Sequence, residues 1–287
     1  MYIYLNSEFV KASEARISPF DHGFLYGMGV FETFRVYQGF PFLLNDHLTR
    51  LHQSLVELNI PIELEMNEVR RVIAELIQLN NLEDQDISIR LNVSAGVGRV
   101  GHLNETYEAP SVIYYVRPAP HLTDQTEIKA TLLKINRNTP EGDYRLKSHH
   151  YLNNILGKRE LQGHLSDEGI FLTKEGFVAE GIVSNIFWVK DNKVYTPSVH
   201  TGILNGITRQ FVMKCLTKHN ISVYEGFYTR EELLNADEVF LTNSGQEVLA
   251  VKMVDDVPFY GRNGEVTHTL QKMYAQYHQR LLSINEL

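Results

Sequence analysis

"TGILNGITRQFVMKCL", residues 201–216, passes from an irregular run into a helix. Gly206 ends the irregular part, and Thr208 lies in the first turn of an amphipathic helix. The first N–H groups of a helix have no partner within it, and the helix dipole puts partial positive charge there. With a hydroxyl beside them, those groups make an anion site. The same residues also suit an ordinary N-terminal cap, for which threonine is a common choice. Taken alone, the stretch favours the cap.

Two further stretches carry the same ambiguity. In "GFVAEGIVSNIFWVK", residues 176–190, Glu180 stands between Gly176 and Gly181 just ahead of an apolar strand. It is either a solvated loop carboxylate or a charge aimed into a cleft from a strand end. In "ADEVFLTNSGQEV", residues 236–248, a strand runs into Thr242, Asn243, Ser244 and Gly245. Small polar residues there line a site or simply make a turn. A fourth stretch, "YRLKSHHYLNN" (144–154), centres on Lys147. Lysine is almost never fully buried unless paired, so a solvated cation is the ordinary reading.

Together these signals specify a ligand. A phosphate asks for a helix N-terminus, a hydroxyl-bearing loop and an arginine, which Gly206–Thr208, Ser244 and Arg50 supply. A ring nitrogen kept protonated asks for a carboxylate, and Glu180 supplies it. An aldehyde asks for an amine that can form a Schiff base, and Lys147 supplies that. Pyridoxal phosphate has all three handles. The twelve histidines are scattered, and His149 and His150 are adjacent rather than spaced for one ion, so no metal is expected.

The surrounding chain gives the frame. Its 287 residues are enough for two domains. A net charge of −8 argues against nucleic acid or an anionic membrane as partner, while leaving room for a locally positive pocket. The single cysteine, Cys215, excludes an internal disulfide, fits a reducing cytoplasm and sits at a helical packing position. No apolar run approaches the ~20 residues that span a bilayer. The first residues alternate as strand and turn rather than as a signal peptide.

Helix periodicity is clear in "DHLTRLHQSLVELNI", where Leu48, Leu51, Leu55 and Leu58 share a face and Arg50 falls off it. It recurs at Val69, Val72, Ile73, Leu76 and Leu79. Further helices are expected at 151–162, 207–219 and 267–282. Strands are expected at "DISIRLNVSAG", "SVIYYVR", "ATLLKIN", "GIFLT", "NIFWVK", "VYEGFY" and "EVFLTN". "RPAPHLTDQ", residues 117–125, reads as a linker between domains at 1–116 and 126–287. Both halves mix helix with sheet, so the class is α/β or α+β.

On "SPFDHGFLYGMGVFETFRVY" (18–37), "HLTRL" (47–51), "RLKSHHYLNNILGKRE" (145–160), "EGIVSNIFW" (180–188), "GILNGITR" (202–209) and "ADEVFLTNS" (236–244), the chain resembles the fold-type IV pyridoxal-phosphate enzymes. That group includes branched-chain and D-amino-acid aminotransferases. Within it the likeness is strongest to the aminodeoxychorismate lyases, notably in "SHHYLNN". The resemblance implies a two-domain fold with the cofactor in the cleft between domains, and a homodimer. It implies that Lys147 forms the Schiff base and that Glu180 pairs with the pyridine nitrogen. Arg50, the backbone of Ile207 and Thr208, the Thr208 hydroxyl and Ser244 would hold the phosphate, and Leu204 would pack on the ring. The implied reaction turns 4-amino-4-deoxychorismate into 4-aminobenzoate and pyruvate, with an amino-acid aminotransferase as the rival. A non-catalytic phosphate-binding module is a third reading, which leaves Lys147 and Glu180 without a role. Arg99, Arg145 and His22 are the candidates for the substrate carboxylates.

Overall fold

The computed structural model describes residues 1–101, 107–120, 126–163 and 168–287. The chain divides into two compact units. The first comprises Met1–Pro120, Leu146–His150 and His278–Glu286; the second comprises His121–Arg145, Tyr151–Tyr277 and Leu287. A single boundary at 117–125 would therefore assign two segments, 146–150 and 278–286, to the wrong unit. Part of that expected linker, 121–125, lies outside the described residues, and 117–118 end a strand.

In the first unit the elements are β1 (Tyr2–Leu5), β2 (Glu8–Lys11), α1 (His22–Tyr26), β3 (Gly29–Tyr37), β4 (Phe40–Pro41), α2 (Leu44–Glu57), α3 (Met66–Leu79), β5 (Ile87–Ser94) and β6 (Ser111–Pro118). The strands form one antiparallel sheet in the order β2-β1-β6-β5-β3-β4. Its apolar positions, among them Val30, Phe34, Ile89, Leu91, Val93 and Tyr114, share a core with the leucine stripe of α2 and the apolar face of α3. Each fully buried leucine contributes roughly 2 kcal/mol. The stripe is buried as expected at Leu48, Leu51 and Leu55, whereas Leu79 of α3 is 37% exposed and Ile77 takes its place in the core.

Two returns of the chain complete this unit. Phe31 N–H donates to the Lys147 carbonyl at 2.9 Å and His149 N–H to the Gly29 carbonyl at 2.9 Å, so 146–150 adds itself to the edge of β3. A Cβ on Gly29 would fall 2.3 Å from His149 Cε1, so only glycine admits that approach. Near the end of the chain, Leu43 and Asn45 N–H groups donate to the Leu281 and Leu282 carbonyls, and His278 stacks on Tyr37 at 4.1 Å.

The second unit holds β7 (Glu127–Leu132), α4 (Leu152–Glu160), β8 (Glu168–Leu172), β9 (Val178–Gly181), β10 (Asn185–Lys190), β11 (Lys193–Pro197), α5 (Ile207–Lys218), β12 (Val223–Gly226), α6 (Arg230–Leu234), β13 (Glu238–Asn243), β14 (Glu247–Val254), β15 (Val257–Pro258) and α7 (Glu265–Tyr277). Its sheet runs β12-β11-β10-β13-β14-β7-β8-β9, with β15 on β14. The β11–β12, β14–β7 and β7–β8 pairs are parallel and the rest antiparallel. The fold is thus mixed α/β. β7 begins three residues before the expected "ATLLKIN", because its partners on β14 and β8 engage residues 127–132 and the chain leaves the sheet after Leu132. Among the described residues, no helix is long and apolar enough to cross a membrane.

Candidate active site

In the first unit the site side chains hang on β3 and on its added edge. Lys147 is half-buried, and its Nζ lies 4.6 Å from the centre of the Phe31 ring. The Arg90 guanidinium covers the same ring at 3.6 Å. His149, beside them, is held neutral at ordinary pH, its pKa lowered to about 4 by burial and then by Arg90.

One residue along β3, Glu32 points to the core side and is 1% exposed. Arg50 grips it with two bonds, Nε to Oε1 at 2.7 Å and Nη2 to Oε2 at 2.8 Å. His47 Nδ1, one helical turn before Arg50, meets Oε2 at 2.7 Å. Burial pushes the Glu32 carboxyl up, but Arg50 and His47 outweigh it and hold the pKa at about 2. Arg50 therefore falls off the leucine stripe in order to be aimed, not to be solvated.

The second unit contributes the loop and helix. Glu180 lies inside β9, 4% exposed, rather than in a turn between two glycines. Arg137 Nε donates to its Oε1 at 2.8 Å, and the Leu204 N–H donates to Oε2 at 3.0 Å. A buried charge is tolerated when paired in this way. Arg137 is in turn held by Asn153 at 2.7 Å.

Gly206 is the N-cap of α5, and no side chain caps that end. Thr208 is buried, and its hydroxyl lies 3.4 Å from that of Ser244 rather than on a helix N–H. The ordinary capping role is thereby excluded for Thr208. In the loop after β13, Asn243 Oδ1 accepts the N–H groups of Gly245 and Gln246 and so makes the turn, while Ser244 faces Thr208. Two residues before Ser244, the buried Thr242 hydroxyl has no partner. An uncapped helix start with Ile207 and Thr208 in its first turn, and hydroxyls gathered beside it, is a donor set suited to a phosphate.

The expected carboxylate candidates fare differently. His22 is buried, bonded to the Tyr107 hydroxyl at 3.0 Å and to the Arg99 carbonyl at 3.2 Å, so it organises its own unit. Arg145 braces the second unit through the carbonyls of Gly202 and Asn138, and lies 3.7 Å from Glu180. Burial, then Arg137, lowers its pKa to about 10. Arg137, Glu32, His47 and Phe31 escaped the sequence reading. A buried carboxylate's need for a cation was the one signal that could have found Arg137.

Residues 29–254 match the family described as amino-transferase class IV. The chain belongs to that family. It is 44% identical to the aminodeoxychorismate lyase of Bacillus subtilis (strain 168) over 274 residues, 96% of this chain and 94% of the relative. Among solved structures it resembles a branched-chain amino acid aminotransferase of Escherichia coli, with a TM-score of 0.87 and 31% identity, over 97% of this chain and 94% of the other. It also resembles the T.th. branched-chain amino acid aminotransferase solved with N-(5'-phosphopyridoxyl)-L-glutamate, with a TM-score of 0.84 and 28% identity, over 96% of this chain and 93% of that one. The class IV likeness therefore spans both units and includes pyridoxal-phosphate enzymes.

Proposed function

We propose that this class IV protein is a pyridoxal-phosphate-dependent lyase that converts 4-amino-4-deoxychorismate to 4-aminobenzoate and pyruvate. The observation that carries this reading is the 44% identity to the Bacillus subtilis lyase over nearly the whole chain. The fold itself does not discriminate, because the aminotransferases share it.

The residues suit the cofactor. The uncapped start of α5, the Thr208 and Ser244 hydroxyls and Arg50 would hold its phosphate, Leu204 would pack on the ring, Glu180 would face the ring nitrogen, and Lys147 would hold its aldehyde carbon. When bound, pyridoxal phosphate supplies an electron-withdrawing ring joined to the substrate nitrogen. Arg137 pairs with the Glu180 carboxylate and orients it, so that it would face the ring nitrogen. Lys147 Nζ, freed when the substrate amine takes its place, would then remove the proton from the substrate carbon that bears nitrogen. As the ammonium, it returns a proton to the methylene carbon of the departing enolpyruvyl group, which leaves as pyruvate. Aromatisation of the remaining ring favours the forward direction.

The reading also makes the protein a cytoplasmic homodimer. Phe20, Phe24, Val97 and Val100 of the first unit, all more than half exposed, support a second copy covering them. The direct test is incubation with aminodeoxychorismate, with 4-aminobenzoate and pyruvate followed as products. Equal formation of both is expected, and formation of neither overturns the reading.

A further inference from the structure

Asn185 opens β10 and is 4% exposed. Its backbone is fixed by pairing with Thr242 of β13, the strand that ends at Asn243, just before Ser244. Its amide faces a set of acceptors. Nδ2 donates to the Leu204 carbonyl at 2.8 Å and lies 3.5 Å from Glu180 Oε2, the oxygen that also accepts the Leu204 N–H. Glu180, Leu204 and Asn185 thus form a closed ring of hydrogen bonds.

The other end of the amide touches the helix start. A Cβ on Gly206 would fall 2.2 Å from Asn185 Oδ1. Gly206 has φ −63°, a conformation open to any residue. Its backbone does not need glycine; the close approach of the amide does.

We propose that Asn185 is a positioning residue that sets the Glu180 carboxylate and the Leu204–Gly206 turn together, so that one amide aligns the ring-nitrogen partner with the phosphate site. The inference rests on the cofactor reading above. It requires a donor at Nδ2, because both of its neighbours are acceptors. Aspartate has the right shape and the wrong chemistry, and serine or alanine cannot reach.

The test uses the purified protein loaded with pyridoxal phosphate, comparing wild type, Asn185→Asp, Gly206→Ala, Glu180→Gln and the Glu180→Gln/Asn185→Asp pair. Three quantities are read: cofactor dissociation constant, inorganic phosphate dissociation constant of the cofactor-free protein, and the pH midpoint of the visible cofactor band. Asn185→Asp should bind cofactor about tenfold more weakly, bind phosphate more weakly, and move the band midpoint. Because Asn185 acts through Glu180, the double variant's band shift should not exceed that of Glu180→Gln alone. Gly206→Ala, which displaces the same amide by its oxygen, should repeat the pattern and stands in if Asn185→Asp does not fold. Wild-type affinities and midpoint in both Asn185→Asp and Gly206→Ala overturn the inference alone, as does a fully additive double variant. A wild-type protein that takes up no cofactor overturns the cofactor reading and this inference with it.

Discussion

Glu32 and Arg50 meet through two parallel bonds of 2.7 and 2.8 Å, with the carboxylate 1% exposed. The fork of a guanidinium matches a carboxylate in this geometry, and the match fixes direction as well as distance. One edge of Arg50 is thereby locked against the sheet, which holds the head group in a defined orientation. Breaking a buried pair by removing one partner costs about 3–5 kcal/mol, since the remaining charge is left without compensation.

The pair makes stability depend on acid. Glu32 has a folded pKa of about 2 against an ordinary 4.5. A depressed carboxyl pKa stabilises the fold above the unfolded value and loses that contribution as pH falls through the folded value. Glu32 should therefore contribute on the order of 3 kcal/mol at neutral pH, lost between pH 4.5 and 2. Urea titrations of wild type and Glu32→Gln across that range check this. Equal stability of the two at pH 7 would remove the pair from the account.

Lys147→Ala should lose the visible cofactor band and nearly all turnover while melting within a few degrees of wild type. Loss of proton transfer alone accounts for roughly 10²–10⁴-fold in rate. Retention of band and activity would shift attention to the exposed Lys158 on α4.

How the sequence foretold this site differs from part to part. The leucine stripe of α2 was legible because burial on one helical face leaves a 3.6-residue period. The Gly206–Thr208 start was legible because turn and helix chemistry are local. By contrast, β3 was hidden: "GVFETFRVY" buries residues on both faces and carries Glu32 on its core side, so apolar and polar residues do not alternate. The assignment of 146–150 and 278–286 to the first unit was hidden for another reason. Their partners, Gly29, Phe31 and Leu43, lie more than a hundred residues away in the chain. Arg137 sits in a stretch that reads as loop, and only the fold brings it to a carboxylate 43 positions on.

Glu180→Gln should retain cofactor and lose rate by roughly 10–100-fold, the scale of a lost charge-assisted hydrogen bond. The amide cannot keep a ring nitrogen protonated, and Arg137, now facing a neutral group, opposes that proton further. A kcat drop with little change in cofactor affinity is the expected split. Full activity at full cofactor occupancy would exclude the role.

Cys215 should be inert. It is fully buried in α5, and burial pushes its thiol pKa up to about 12. The thiolate is the reactive form, so a thiol reagent at pH 8 should modify the folded protein only at the rate of unfolding. Fast labelling of the native protein, without loss of structure, would show that the α5 face opens.

The last prediction separates the two enzyme readings. A lyase ends each cycle with the cofactor back on Lys147 in its starting form, so it needs no second substrate. An aminotransferase leaves the amino group on the cofactor and stops until a keto acid removes it. Supplied with aminodeoxychorismate and no keto acid, the protein should therefore release 4-aminobenzoate for many turnovers per subunit. Transfer from D-alanine or a branched-chain amino acid should be slow, as the 44% identity to the Bacillus subtilis lyase leads one to expect. Fast turnover of D-alanine or a branched-chain amino acid that depends on an added keto acid, with no 4-aminobenzoate formed, would reassign the protein to the aminotransferases and leave the roles of Lys147 and Glu180 unchanged.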